Sequence, residues 1–245
     1  MELKSYAAKS HQGPHLQINE DGVEVDLLQK IYMVFDGFGG TNIGDKTVSF
    51  LKEHIKRFYS KVGGDPDATL PFFYSHKYLL EGNALINSMH YAHALLKKDN
   101  LARPMHERGG ASAMIIAQSE NILTLAGTGN IAAWYYRRGK LYRLVIPDSM
   151  EPLARDSHER FLHTTPVSAF GLFDELHLNV VEYRPRHGDK LAVMTDGAYA
   201  RMSDEEIRYV FESKDDSDLD RIQEIFSLVN TRGNIDNQTC LLLNF

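Results

Sequence analysis

The stretch IYMVFDGFGG, residues 31–40, guides the interpretation of the whole chain. Five apolar residues run directly into Asp36, and three of the next four residues are glycines. An apolar run bounded by glycines is typical of a β-strand buried on both faces. Asp36 would end this strand and face a cleft, beside the uncovered carbonyl of Gly37. Such oxygens suit a hard cation such as Mg²⁺ or Mn²⁺, although a plain strand-to-helix turn capped by Asp36 is an equally good explanation of this stretch alone.

The composition is that of an ordinary soluble globular protein. The chain has 245 residues, of which 43% are hydrophobic and 24% charged, and its net charge is −6. No stretch resembles a repeat or a linker, so we expect a single domain over residues 1–245. No basic block indicates a nucleic acid partner, no apolar run is long enough to span a membrane, and the first residues lack an apolar signal region. We therefore expect a cytoplasmic protein with neither nucleic acid nor membrane as a partner.

The hydrophobic pattern predicts a mixture of helices and strands. Apolar spacings of three and four predict helices over residues 42–60 and 70–98. Four short apolar runs separated by turn-type sequences then predict an antiparallel meander, over 111–118, 122–128, 131–137 and 141–145. The other expected elements are an irregular surface flap over 147–166, strands over 176–183 and 238–245, a buried strand that starts at Lys190 and ends at Asp196, and helices from Ser203 and over 219–229.

Two further aspartates share the context of Asp36. Asp196 follows the apolar run 190–194 and precedes a glycine, while Asp236 lies just before the final strand. Separate strands can bring such acids to one edge of a sheet, where carboxylates without a neighbouring lysine or arginine would repel one another unless a divalent cation joined them. The alternative is three unrelated turn aspartates. In the earlier stretch NEDG, residues 19–22, a solvated turn is favoured over a further supply of carboxylates.

Several segments, taken in order, resemble the signature motifs of the PPM family, the metal-dependent protein phosphatases of the 2C class. FDGFGG at 35–40, TDG at 195–197 and DNQT at 236–239 follow the family order with family-like spacing. NED at 19–21 and GASA at 110–113 resemble further motifs. The resemblance covers essentially the whole chain. It implies an α+β fold in which a central antiparallel β-sandwich is flanked by helices on both sides, in four αββα layers.

The resemblance also implies a binuclear Mn²⁺ or Mg²⁺ centre. Asp36 would bridge the two ions, the carbonyl of Gly37 would bind one of them, and Asp196 and Asp236 would hold the other. The implied activity is that of a bacterial-type serine/threonine protein phosphatase, in which a metal-activated water hydrolyses phosphoserine or phosphothreonine. Its partner would be a phosphorylated protein, and it would oppose a serine/threonine kinase.

Three other acids have weaker roles in the implied centre. Glu20 and Asp21 would act on the metals directly or through water. Glu107 lies where some members of the family place an acid for a third, looser ion.

Three departures from the family pattern leave alternatives open. Many members carry a phosphate-gripping arginine near residues 14–18, where this chain offers only His15 or Gln17, and neither provides a permanent bidentate charge. Phe38 stands where eukaryotic members often have histidine. Bacterial members commonly have an apolar residue at this position. GNIA at 129–132 stands where the family has a GDSR segment. The change removes a charge pair, and we expect the role of that pair in the family to be structural. The alternatives are a pseudophosphatase that binds phosphoproteins and a phosphatase for small phosphorylated metabolites.

Overall fold

The structure, a computed structural model, describes residues 2–40, 42–63, 67, 69–150, 164–212 and 217–245. The strands in these residues are β1 Ser5–His11, β2 Asp21–Asp26, β3 Ile31–Gly39, β4 Gly109–Ser119, β5 Ile122–Thr128, β6 Ala132–Arg137, β7 Lys140–Val145, β8 Ser149–Met150, β9 Thr165–Pro166, β10 Asn179–Tyr183, β11 Lys190–Met194 and β12 Gln238–Asn244. The helices are α1 Gly44–Gly63, α2 Leu80–Leu101, α3 Asp196–Tyr199, α4 Asp204–Glu212 and α5 Asp218–Thr231, with a 3-10 turn over Met105–Glu107.

Two five-stranded antiparallel sheets form the centre of the fold. Their strand orders are β1-β12-β11-β6-β7 and β10-β5-β4-β3-β2. An apolar core fills the space between the sheets. A second core joins the β3 sheet to α1 and α2, and a third joins the β11 sheet to α3, α4 and α5. These are the four αββα layers that the family resemblance implied, which confirms the expected fold class.

Strand β3 shows why its apolar run is uninterrupted. Side chains alternate between the two faces of a strand. Tyr32 and Val34 therefore pack between the sheets, while Met33 and Phe35 pack against the helices. Both faces are buried, so both need apolar residues. Asp36 is the next residue on the inter-sheet face. The expectation that Asp36 ends the strand was wrong, because pairing with β4 continues as far as Gly39.

The expected meander was also wrong. β5 pairs with β4 and β10 in one sheet, whereas β6 pairs with β11 and β7 in the other. The turn-type pair Gly129-Asn130 therefore carries the chain across the sandwich. Glycine and asparagine favour a turn for local reasons, and those reasons are the same for a hairpin and for a crossing between sheets.

Helix α2 begins about ten residues later than predicted. The preceding residues 70–79 are not helical, and two buried asparagines of α2 hold this segment against the helix. The Oδ1 atom of Asn87 accepts from the backbone N–H of Phe72 at 2.9 Å, and that of Asn83 accepts from Ser75 at 2.8 Å. The side-chain amides offer the segment an alternative to helical hydrogen bonds.

Other sequence expectations are confirmed or lie outside the described residues. The strand over 122–128 matches to the residue, and the capping box at Ser203 is formed with Glu206. The strand expected from Lys190 to Asp196 ends at Met194, because Asp196 begins α3. The first predicted helix and the last one are each confirmed with boundaries shifted by a few residues. Most of the expected flap, 151–163, lies outside the described residues, although β8 and β9 pair at its two ends. None of the described helices combines the length and apolar character needed to cross a membrane.

Candidate metal centre

A cleft of about 390 Å³ opens at one end of the sandwich and gathers most of the predicted acids. Glu20, Asp36, Asp196 and Asp236 all line it, and Gly37 lies between them. The described residues that line this cleft include no lysine, arginine or histidine. Four carboxylates therefore share one cleft without a cationic side chain to offset their charge.

Asp21 and Asp36 are brought together by the pairing of β2 with β3. The two residues lie directly opposite each other across these strands. Like charges in this relation destabilise a sheet. Asp21 is set back from the cleft, where the hydroxyl of Thr195 donates to its Oδ2 atom at 2.9 Å. This contact ties β2 to the end of β11, and so links the two sheets at the site.

Asp196 and Asp236 converge because the backbones that carry them touch. β11 and β12 pair side by side, and the backbone N–H of Thr195 extends this contact to the carbonyl of Thr239 at 3.1 Å. A Cβ atom on Gly197 would lie 1.8 Å from the carbonyl oxygen of Asn237 and 3.2 Å from the Cβ of Asp236. Only glycine allows so close an approach. The Asp-Gly sequence thus serves to bring the two acids to one place.

Glu20 is shared between the cleft and helix α1. Its carboxylate accepts from the backbone N–H of Gly44 at 2.8 Å, at the N-terminus of α1, where negative charge is favoured. Asn237 fixes its backbone, since the Oδ1 atom of Asn237 accepts from the N–H of Glu20 at 2.8 Å. The solvated-turn interpretation of residues 19–22 was wrong, because Asp21 begins β2 and Glu20 lines the cleft.

Gly37 lies in a space too small for any side chain. Its N–H donates to the carbonyl of Glu20 at 3.1 Å. A Cβ atom at this position would lie 2.5 Å from that carbonyl oxygen and 2.7 Å from the carbonyl oxygen of Gly44. The glycine after Asp36 therefore lets three backbone segments meet beside the carboxylates.

The carboxylates that lie deepest in the site resist ionisation. Burial raises the pKa of Asp36 well above its usual range, and the charges of Asp196, Asp21 and Asp236 raise it further. Burial likewise raises the pKa of Asp21, against the hydrogen bonds that it accepts. The pKa of Asp196 is raised to about 6 by burial and then by Asp236. Without a cation, this cluster favours holding protons.

Asn130 is a site residue that the sequence analysis missed. It is 3% exposed, and its Nδ2 atom donates to Oδ2 of Asp36 at 2.8 Å and to Oδ2 of Asp196 at 3.0 Å. The loss of a charged residue here was expected to matter only for structure. A usable signal was present, because Asn130 follows the apolar strand β5 and a glycine, as a polar residue at the end of a buried strand.

Three of the weaker candidates are not brought to the cleft. Glu107 lies in the 3-10 turn with an exposed side chain, 3.7 Å from His106. His15 and Gln17 are exposed, and Leu16 between them is the residue that lines the cleft. The structure therefore places no expected phosphate-binding side chain in the cleft wall.

The cleft has the chemistry of a divalent cation site without being closed into a ligand set. Its carboxylate and carbonyl oxygens are the donors that Mg²⁺ and Mn²⁺ prefer. The Oδ1 atom of Asn130 is buried there and has no hydrogen-bond partner. In the described part of the chain, however, no three acidic, histidine or cysteine side chains are already grouped closely enough to hold an ion. The residues fit a cation, and binding would have to draw them together.

Comparison with solved structures shows the fold. PppA, described as a key regulatory component of T6SS in Pseudomonas aeruginosa, has a TM-score of 0.76 and 21% identity over 99% of this chain and 98% of its own. The PPM Ser-Thr phosphatase MsPP from Mycobacterium smegmatis, in complex with cacodylate, has a TM-score of 0.76 and 18% identity over 100% of both chains. The catalytic domain of the serine threonine protein phosphatase PstP, in complex with two manganese ions, has a TM-score of 0.75 and 19% identity over 98% of this chain and 97% of its own.

No protein-family model and no curated protein sequence matches the chain. At these identities the structural likeness shows the fold alone, which is that of the PPM serine/threonine phosphatases.

Proposed function

We propose that this chain, with the PPM phosphatase fold, is a Mn²⁺- or Mg²⁺-dependent phosphatase for phosphoserine and phosphothreonine in proteins. One observation carries the proposal: Glu20, Asp36, Asp196 and Asp236 share a cleft whose described lining residues include no cationic side chain. A fold used only as a scaffold gains nothing from this arrangement, because carboxylates gathered without a cationic partner repel one another and reduce stability. We take the whole of residues 1–245 as one phosphatase domain.

The proposed ligands follow from the placement of the residues. Asp36, Asp196 and Asp236, with the carbonyl of Gly37, would hold two ions, and Glu20 and Asp21 would act at their margin. Divalent cations, when bound, supply a water that ionises near neutral pH and offset the charge on the phosphoryl oxygens. The structure of PstP with two manganese ions supports this choice of metal and number. A third ion at Glu107 has no such support.

The chain's own residues keep the carboxylates in place for this chemistry. Asp196 accepts from the hydroxyl of Thr164 and from its own neighbour, the N–H of Gly197. Asp21 is held by Thr195 behind Asp36. These donors fix the directions of the acids before any substrate arrives, which is the positioning that phosphoryl transfer demands of a protein.

The substrate class rests on the fold relatives, which are serine/threonine phosphatases by description. We therefore propose a phosphorylated protein as the partner. Opposition to a kinase and a cytoplasmic place of action stay predictions from the sequence.

The test is hydrolysis of p-nitrophenyl phosphate and of a phosphothreonine peptide with Mn²⁺, with Mg²⁺ and with EDTA. We expect turnover with either metal, none with EDTA, and a loss of at least a hundredfold in Asp196→Asn. Glu175→Gln, which removes an exposed carboxyl outside the cleft, is the matched control and keeps its activity. Turnover in EDTA, or full activity in Asp196→Asn, would contradict the proposed centre.

A phosphoprotein-binding module without hydrolysis is the second candidate. It is favoured by the missing arginine near residues 14–18 and by the exposed positions of His15 and Gln17, which do not line the cleft and so are not placed to hold a phosphoryl group over the acids. A folded wild type that binds the phosphopeptide in a calorimetric titration but turns over no ester in either metal would support it. A preference for small phosphate esters over the peptide would instead indicate a metabolite phosphatase.

A further inference from the structure

Among the described residues, the side chain of Asn130 is the group that joins the carboxylates of Asp36 and Asp196. Both hydrogens of an amide NH₂ can be donated. Here Nδ2 lies 2.8 Å from Oδ2 of Asp36 and 3.0 Å from Oδ2 of Asp196, with the hydroxyl of Thr164 at 3.3 Å. One neutral amide thus links two acids that would otherwise repel each other.

The fold holds Asn130 in this position from three directions. The hydroxyl of Tyr199 donates to the backbone carbonyl oxygen of Asn130 at 2.6 Å, and the backbone N–H of Asn130 donates to Oγ of Ser112 at 3.3 Å. Gly129 before it has a φ of +81°, and a Cβ atom there would lie 2.1 Å from the same Oγ atom. A residue with a side chain would be strained at this φ and would clash. The position of the Asn130 backbone is therefore built into the crossing between the sheets, while its side chain stays free to turn.

The orientation of the amide has a cost. With Nδ2 turned toward the acids, Oδ1 is buried and has no hydrogen-bond partner. Leaving a buried acceptor unpaired is unfavourable. Donating to both carboxyl groups is the stronger of the two effects, because two hydrogen bonds are made for the one acceptor that is left unpaired. The orientation is thus set by the carboxylates.

A cation at Asp196 would have to compete with hydrogen-bond donors. Its Oδ1 atom accepts from the N–H of Gly197 at 2.8 Å, and its Oδ2 atom accepts from both Thr164 and Asn130. Each donor occupies one of the roughly four lone-pair sites of a carboxylate, so three donors leave Asp196 about one site for a metal ion. The N–H of Gly197 belongs to the backbone beside Asp196, whereas the amide of Asn130 is a side chain that can turn away.

We propose that Asn130 is a positioning residue that clamps Asp36 and Asp196 together in the cation-free protein, and that divalent cations bind only by displacing its amide. This inference rests on the proposed function, since it concerns the same centre. The clamp stabilises the protein without metal and weakens its affinity for metal. A residue with a purely structural role would have only the first effect.

The experiment is a calorimetric titration of the full chain with Mn²⁺, together with thermal unfolding in EDTA. Asn130→Ala removes the clamp, so its dissociation constant for Mn²⁺ should fall about tenfold, equivalent to about 1.4 kcal/mol, while its midpoint in EDTA falls. Asn87→Ala is the matched control, because Asn87 is equally buried and lies in α2, away from the cleft. It should lower the midpoint and leave the dissociation constant unchanged.

The possible outcomes separate this inference from the proposed function. If the wild type binds Mn²⁺ and Asn130→Ala binds it equally or more weakly, the clamp is refuted while the metal centre stands. If Asn130→Ala binds Mn²⁺ and the wild type does not, the clamp is supported. If neither binds, both proposals fail. Should Asn130→Ala not fold, Asn130→Ser, which keeps a hydroxyl at the position, is titrated instead with the same expected direction.

Discussion

Asp196 lets the stability of the metal-free protein be predicted as a function of pH. Its pKa in the folded protein is raised to about 6 from a usual value of 3.8, by burial and then by Asp236. The folded state therefore holds this proton more tightly than the unfolded state does. The stabilising effect of the proton is present below about pH 4 and is lost as pH rises through 6. Above pH 6 the ionised carboxylate costs the folded state about 3 kcal/mol. This figure is the difference between a pKa of about 6 and one of 3.8, converted at about 1.36 kcal/mol per pKa unit.

The perturbation that isolates this cost is Asp196→Asn. The variant has no carboxyl to ionise, and its side-chain oxygen can still accept from Thr164 or Asn130. In EDTA at pH 8 we expect the variant to be more stable than the wild type by about 2–3 kcal/mol, which corresponds to about 4–12 °C in the unfolding midpoint of a protein of this size. At pH 4 the difference should vanish.

The assay is urea unfolding in EDTA at pH 4, 5, 6, 7 and 8, for the wild type, for Asp196→Asn and for Glu175→Gln. The quantity of interest is the difference between each variant and the wild type, because titrating groups outside the cluster contribute equally to both. Removing the charge of Asp196 also lowers the pKa of Asp36, which acts in the same direction at pH 8. A difference for Asp196→Asn that is the same at every pH, or that favours the wild type at pH 8, would refute the reasoning. Glu175→Gln controls for the removal of one negative charge.

Two further predictions concern the supports of the fold and of the cleft. Asp189→Asn should lower the free energy of unfolding by about 3 kcal/mol in a urea titration. The reason is that the guanidinium of Arg137 and the hydroxyl of Tyr183 lose their buried anion. Loss of a similar amount in Arg137→Leu would show that the pair acts as a unit. Asn237→Ala should speed proteolytic cleavage of residues 12–18 severalfold, because the side chain of Asn237 donates to the carbonyls of Gln12 and Ile18. An unchanged cleavage rate would show that other contacts hold the segment.

The strands could be predicted because burial of both strand faces requires a continuous run of apolar residues, which is visible in the sequence. Residues 31–35 must be apolar on both faces, since one face meets the other sheet and the other meets α1 and α2. The same double burial marks β11, whose first residue was predicted correctly. Which sheet a strand joins is not encoded in this way. β5 and β6 have similar patterns and lie in different sheets, so the sandwich followed only from the family resemblance.

The site was predictable where a buried strand leads into an acid and a glycine. Asp36 and Asp196 both have that signal, and the structure places both in the cleft with Asp236. Asn130 shares the strand and the glycine but carries no charge, so it was interpreted as a turn residue. Glu20 was assigned to the centre only through the family resemblance, because the residues around it alone indicated a solvated turn. Its place is fixed by Gly44 and Asn237, which lie 24 and 217 residues away in the chain, and such contacts exist only after folding.

The charge of the cleft bears on both candidate functions. A phosphate group is itself an anion, and the described wall of the cleft offers it several carboxylates with no cationic side chain among them. Coulomb repulsion would oppose binding of a phosphoprotein there, whether or not hydrolysis follows. The raised pKa of Asp36 reduces this repulsion only when the carboxyl is protonated, and a proton offers less charge than a divalent ion. A module that only binds phosphoproteins in this cleft would thus need divalent cations as much as an enzyme does. Binding of a phosphopeptide should therefore disappear in EDTA under either function. Binding that persists in EDTA would place the phosphate elsewhere on the surface.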